Sequence, residues 1–296
     1  MTATPPLDLP HLQTWIGRTE TLADTLTAAP LHALTATLDR TDPPVGPHDS
    51  LPPAWHWLYF LPAHRQSEIG PDGHAQRGGF LPPVPLPRRM WAGSRLQFLA
   101  PMRVGQALQR VSRITDVQAK DGRTGPLVFV KVRHEVSADG VLAVVDAHDI
   151  VYRGLPAPGE APPAPVAAPG GALDGAAGAE TWQRTVVPDD VALFRYSALT
   201  FNGHRIHYDR RYVTQVEGYP GLIVHGPLIA TLLLDLLRRE RPQARVTGFQ
   251  FKAVSPVFDV APFTLHGRPL ADGRVSLWAC TPGGHLAMQA EATLAP

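Results

Sequence analysis

The sequence predicts an α+β fold in which one plan, helix then curved antiparallel sheet, is used twice. Three observations lead there. Strand-like runs come in two groups of four, each behind a helical segment, and a stretch built almost wholly of Ala, Pro and Gly separates the groups. A short sequence pattern also recurs in both groups, about 153 residues apart, which points to duplication of a whole unit rather than a short repeat.

The first unit is expected to open with helices. Thr19 is a plausible N-cap with Leu22 and Leu26 behind it, and Pro30 suits the first turn of a second helix carrying Leu31, Leu34 and Leu38. Residues 41–90 are rich in Pro and Gly and read as irregular, with one short strand at most. Their aromatic group Trp55, Trp57, Tyr59 and Phe60 reads as core rather than a stacking platform. Runs 95–100, 107–118, 127–136 and 141–153 read as strands, with alternation clearest at Val128, Val130, Val132 and His134. Asp121-Gly122 and Asp139-Gly140 mark turns between them.

Residues 156–179 carry only Glu160 and Asp174 as charges and too little apolar surface to offset ordering. They read as a linker, giving an expected division into 1–154, a linker 155–181, and 182–296. The second unit has an apolar helix at 227–239 and strands at 245–253, 263–268, 275–281 and 286–294. Leu96-Gln97-Phe98-Leu99-Ala100 matches Phe249-Gln250-Phe251-Lys252-Ala253. The helix from Pro227 is apolar on nearly every side, so it belongs inside the sheet rather than on it. Two antiparallel sheets, each wrapping a central helix, describe a double hot-dog.

Bulk properties narrow the function. A net charge of +1 gives no general drive toward nucleic acid or an anionic membrane. The single cysteine, Cys280, excludes an internal disulfide and a cysteine-zinc cluster. The first ten residues lack the features of a secretory signal, and the longest apolar helix contains Asp235 and is too short for a bilayer. A cytoplasmic protein is expected, with no metal and no nucleic-acid or membrane partner.

Polar and ionisable residues are densest in 194–209, Phe-Arg-Tyr-Ser-Ala-Leu-Thr-Phe-Asn-Gly-His-Arg-Ile-His-Tyr-Asp. His225-Gly226-Pro227 then opens the apolar helix, where unpaired amides form a ready oxyanion site. His204 and His207 lie three apart, but no second ligand pair accompanies them. Asn202 is also a natural turn-former, and Arg238 and Arg239 complement the helix dipole.

Thr200 to Asp209 resembles, without a gap, the Ser-Gly-Asp-x-Asn-Pro-Ile-His-x-Asp motif of MaoC-like (R)-specific enoyl-CoA hydratases. The resemblance assigns the catalytic histidine to His207 and the oxyanion amide to Gly226. It places Asn202 where the family has its catalytic aspartate. Trp15-Ile16-Gly17-Arg18, Trp55 to Phe60, Arg77 to Pro83, Arg88 to Gly93 and Arg195 to Ala198 are similar to a narrower branch. That branch contains mesaconyl-C4-CoA (3-methylfumaryl-CoA) hydratases and type 2 hydroxyacyl-thioester dehydratases.

The branch implies one active site per double hot-dog, its motif in the second unit. The implied reaction is hydration of mesaconyl-C4-CoA to citramalyl-CoA. Itaconyl-CoA or medium-chain enoyl-CoA substrates are alternatives, and a thioesterase or a non-catalytic acyl-CoA-binding protein are competing classes. CoA would be part of the substrate, with no separate cofactor, and a homodimer is compatible. His207 is expected to activate water that Asn202 holds through its carbonyl or its amide, since an asparagine cannot act as acid or base. Arg205, Arg88, Arg89 and Arg18 are candidates for binding a substrate carboxylate, with His204 and Tyr196 also near the substrate.

Overall fold

A computed structural model describes residues 7–122, 125–155, 164–169 and 181–296. Helix α1 (Leu9–Gln13) precedes β1 (Thr19–Thr25), α2 (Ala28–Thr37) and a long irregular segment. Strands β2 (Arg88–Phe98), β3 (Ala107–Gly122), β4 (Gly125–Ala138) and β5 (Val141–Arg153) complete the first half. The second half runs β6 (Trp182–Val186), α3 (Asp190–Leu199), α4 (Arg210–Gln215), α5 (Gly226–Glu240), β7 (Val246–Ala253), β8 (Phe263–Pro269), β9 (Arg274–Cys280) and β10 (Leu286–Leu294).

All ten strands form one antiparallel sheet in the order β1-β3-β4-β5-β2-β7-β10-β9-β8-β6. Read from either edge, the order is the same with an offset of five strands. The two expected sheets are therefore halves of a continuous one, joined where β2 pairs with β7. There Leu96 lies opposite Phe249, the two positions that the recurring pattern equates. At the seam Gly93 allows the backbones to approach: a Cβ there would sit 2.4 Å from the Phe251 carbonyl oxygen.

The expected helix from Thr19 is instead β1. Its thirds and fourths suggested a helix through Leu22 and Leu26, but Thr19, Thr21, Ala23 and Thr25 alternate with period two and pair along β3. Leu26, just past the strand, is fully buried. The helix carrying Pro30 does form, as α2. Strands β6 and helices α1, α3 and α4 were not anticipated. Of the expected linker, its end residues 155 and 181 and the stretch 164–169 fall among the described residues, and there Ala167 bridges His285; the rest lies outside them.

Every residue from 228 to 237 on α5 is buried. Its leucines pack against the inner face of the second half of the sheet, each contributing about 1.5–3 kcal/mol on burial. No helix among the described residues is long and apolar enough to cross a membrane.

The one buried carboxylate on α5 is held by three arginines. Asp235, with 2% of its side chain exposed, meets Arg40 at 2.6 Å, Arg184 at 2.7 Å and Arg239 at 2.8 Å. Arg40 also pairs with Asp42 at 2.8 Å, which takes Arg238 at 2.9 Å. The cluster thus ties the end of α2 to β6 and to the last turns of α5. Removing a buried partner leaves the others uncompensated, so Asp235→Ala is expected to lower the unfolding free energy by about 3–5 kcal/mol in urea titration. A loss below about 1 kcal/mol would mean that solvent already compensates these arginines.

Candidate active site

A cavity of about 1830 Å³ runs along the seam between the halves, and both contribute to its wall. Helix α3, capped by the Asp189 side chain on the Ala192 amide, delivers the chain to Thr200. Phe201 then adopts a left-handed conformation, φ 48°, and turns the backbone into 202–209. A single 3-10 turn, Arg205–His207, aims the His207 ring inward.

His207 is 7% exposed. Its Nδ1 lies 2.7 Å from the Ile223 carbonyl oxygen, so Nδ1 carries the proton and donates it, leaving a lone pair on Nε2. That carbonyl is fixed in turn, because the Ile223 amide donates to Ile206 and residue 223 bridges Phe258. Burial pushes the His207 imidazole down to about 4, since the charged ring loses solvation, and the Ile223 hydrogen bond offsets only part of this. The ring stacks on His225 at 3.7 Å and 18°.

His225, fully buried, precedes Gly226 and bonds Ser197 Oγ through Nε2 at 2.8 Å. Burial holds its pKa well below the usual histidine value. Tyr196 packs edge-on against His225 at 5.0 Å and bonds Thr231 through its hydroxyl. It lines the cavity but chiefly fixes His225. Gly226, the first residue of α5, lines the cavity too. At that position its N–H has no carbonyl within the helix to bond.

Asn202 also lines the cavity, but its Oδ1 accepts the His204 backbone N–H at 3.0 Å. The turn-forming reading of this residue is what the hydrogen bond shows, and its amide NH₂ has no protein partner among the described residues. It offers a donor and no base.

The four candidate arginines separate clearly. Arg18 is exposed over the Trp15 ring and does not line the cavity. Arg88 bonds the Glu217 carboxylate at 2.9 Å and its carbonyl at 2.6 Å. Arg205 is engaged by Asp209 at 2.7 Å and the Pro71 carbonyl at 3.0 Å. Arg89 lies close enough to Tyr152 to act on its hydroxyl electrostatically. Arg88, Arg89 and Arg205 all line the cavity, and of these three only Arg89 is without an ion-pair partner among the described residues.

Sequence reasoning missed the contribution of residues 70–74, which dock on the motif from the first half. The Asp72 carbonyl accepts the Arg205 amide at 2.9 Å. Gly73, at φ +89°, sits so close to Gly203 that a Cβ would overlap the Gly203 carbonyl oxygen. His74 Nδ1 lies 3.1 Å from Asp72 Oδ2, and its ring lies 3.9 Å from that of His204. Burial lowers the His204 pKa, helped by the neighbouring His74. Ligand atoms of Asp72, His74 and His204 come within 4.8 Å of one another. Asp72 accepts from the His74 amide through Oδ1 and pairs with its ring through Oδ2, and the two imidazoles are tilted by 39° to each other. Asp72 and His74 form a hydrogen-bonded dyad. The Asp72-Gly73-His74 turn, just before the Arg77 to Pro83 segment, was the available signal.

Farther along, the wall is polar and comes from β3, β4 and β5. Asp146 Oδ2 accepts from His148 at 2.8 Å and Trp57 at 2.9 Å, with His56 at 3.4 Å. Ser112 Oγ lies 2.8 Å from His134 Nδ1.

The buried imidazoles carry a linkage consequence. The His207 pKa falls from about 6.5 unfolded to about 4 folded, so between these pH values the unfolded chain binds a proton that the folded chain does not. Its stabilising effect is complete above the unfolded value and is lost as pH falls toward 4. Each such histidine adds up to about 1.4 kcal/mol per pH unit. The thermal midpoint should therefore fall between pH 7 and pH 5, and His207→Gln should flatten that fall. An unchanged midpoint would contradict neutral burial.

Residues 54–259 match the family described as hydroxyacyl-thioester dehydratase type 2. Mesaconyl-C4-CoA hydratase of Chloroflexus aurantiacus is 47% identical over 282 residues, 95% of this chain and 96% of its own. A MaoC-like dehydratase from Phytophthora capsici superposes with a TM-score of 0.64 at 14% identity, over 98% of this chain and 99% of that one. A conserved hypothetical protein of Mycobacterium tuberculosis, described as a double hot-dog, superposes with a TM-score of 0.56 at 16% identity, over 95% and 96% of the two chains. These two structures bear on the fold alone.

Proposed function

The chain belongs to the type 2 hydroxyacyl-thioester dehydratase family, and from that membership we propose that it hydrates mesaconyl-C4-CoA to citramalyl-CoA. It is a carbon–oxygen hydro-lyase of acyl-CoA thioesters. The observation that carries the chemistry is His207, fixed in one tautomer with Nε2 free, in the same cavity as the unpaired Gly226 amide.

Hydration needs the thioester carbonyl polarised so that its β-carbon accepts a nucleophile. The Gly226 N–H at the positive end of α5 suits the carbonyl oxygen, where losing such a donor costs about 3 kcal/mol. The His207 Nε2 lone pair takes a proton from water as the oxygen bonds to the β-carbon. The Asn202 amide NH₂ can hold that water's oxygen. The π electrons pass into the thioester as an enolate, and a proton on the α-carbon completes the addition.

Two features support a short acid over an aliphatic chain. Arg89 is a free guanidinium beside the motif, suited to a substrate carboxylate. The polar wall of Ser112, His134, Asp146 and His148 favours small polar ends as well. A long alkyl chain would cover these groups without bonding them and would displace the water that solvates their remaining polar atoms. Itaconyl-CoA, the isomeric acid, meets the same two conditions. The thioesterase and binding-protein readings draw no support from the family.

The test is to offer purified protein mesaconyl-C4-CoA, itaconyl-CoA and unbranched C4 to C12 enoyl-CoAs and follow loss of the enoyl-thioester absorbance. Mesaconyl-C4-CoA should react fastest, and absence of turnover with every ester would overturn the reading. His207→Ala should lower kcat by about a hundredfold or more. Arg89→Ala should raise KM for the diacid esters about tenfold or more, at about 1.5–3 kcal/mol for a charged hydrogen bond, and leave crotonyl-CoA unaffected. Equal effects on both would remove Arg89 from carboxylate binding.

A further inference from the structure

Hydration moves two protons, one off the water and one onto the α-carbon, and position 202 supplies no group that titrates. We propose that His74, held by Asp72, is the second proton-transfer residue of this site. The proposal rests on the hydratase reading and extends it to a residue from the other half of the chain.

The geometry carries it. His74 lines the cavity that holds His207, Asn202 and Gly226. Its Nδ1 faces the Asp72 carboxylate at 3.1 Å, and its Nε2 has no hydrogen-bond partner among the described residues. Such a pairing fixes the tautomer and supports a positive charge on the ring. The ring stands 3.9 Å from His204, which stands 5.4 Å from His207. Gly73 and Gly203 in contact, with the Asp72 carbonyl bonded to the Arg205 amide, hold the dyad on the motif. An aspartate and a histidine are therefore both present, but the aspartate comes through a second imidazole on another loop.

The steps balance as follows. Neutral His207 takes a proton from water while the water oxygen bonds to the β-carbon and the π electrons move to the thioester oxygen. The imidazolium of His74 gives its Nε2 proton to the α-carbon as the enolate electrons return. His207 then carries one proton more and His74 one fewer, and exchange with solvent restores both. The product has gained one H at the α-carbon and one OH at the β-carbon.

The charges facing His74 bear on its readiness. Burial, then Arg89, then Arg77 lower its pKa, and Asp72 opposes them; His204 and His207 are the other titrating neighbours. A substrate carboxylate on Arg89 would remove the first of the two opposing charges. The protonated form of His74, which is the proton donor, would then be more populated once the acid is bound.

The experiment compares wild type, His74→Gln and Asp72→Asn with mesaconyl-C4-CoA, and follows deuterium entry from D₂O at the α-carbon of the hydrated product. His74→Gln should lose about a hundredfold or more in kcat, with KM within about threefold and deuterium exchange lost in parallel. Asp72→Asn should lose about tenfold, with the high-pH decline in kcat moved to lower pH as the imidazolium loses its support. A His74→Gln kcat within about threefold of wild type would overturn the proposal, as would wild-type activity abolished by chelation and restored by zinc. If His74→Gln fails to fold, Asp72→Asn decides: the loss and shift support the role, and an unchanged rate and profile overturn it. Wild type inert toward all enoyl-CoAs would sink the hydratase reading itself, whereas an active wild type matched by His74→Gln would sink only the role of His74.

Discussion

Pairing of β2 with β7 is the constraint on which the rest of the molecule depends. It merges two five-stranded units into one sheet and fixes their register with Leu96 opposite Phe249. The chain enters β2, which begins with Arg88 and Arg89, directly from the irregular segment that carries Asp72 and His74, and it enters β7 soon after α5. A slip of one residue would turn every inward side chain outward and part the first-half loop from the motif. The close approach at Gly93 and the arginine cluster around Asp235 hold the same arrangement from two other sides.

Inside that frame the site is built by burying imidazoles in their neutral form. His207, His225 and His204 are each kept below the ordinary histidine range, mainly because a charged ring would lose its hydration. Neutral rings are good proton acceptors but poor stores of charge. The one ring in the group with a carboxylate against it is His74. Burial and Arg89 lower His74 as well, but Asp72 opposes that shift, so in the proposed roles the ring that accepts a proton lies next to a backbone carbonyl and the ring that gives one lies next to a carboxylate.

Much of this was legible in the sequence, for physical reasons that can be named. Eight of the strands stand out as β-prone runs, several bounded by turn signals, with alternation clearest in β4, and α5 is apolar all round, so both could be read locally. His207 and Gly226 could be placed from a motif because their roles depend on residues close by. Strand β1 could not, because Leu22 and Leu26 satisfy helical spacing while the partner that makes it a strand lies on β3. The arginines were chosen by charge alone, and only folding shows that Arg88 meets Glu217 and Arg205 meets Asp209, leaving Arg89 free. His74 was invisible for the same reason: its meaning comes from Gly203 and His204, far along the chain.

The contact between Gly73 and Gly203 also sets an order of events in biosynthesis. The first half is complete as a sheet before residue 203 leaves the ribosome, so the loop bearing His74 has no surface to rest on during that interval. Both the motif turn and the strand that seals the seam come later. The site therefore cannot be assembled from the first half alone: a nascent chain stalled between the halves would carry His74 but neither the motif turn nor the strand that seals the seam.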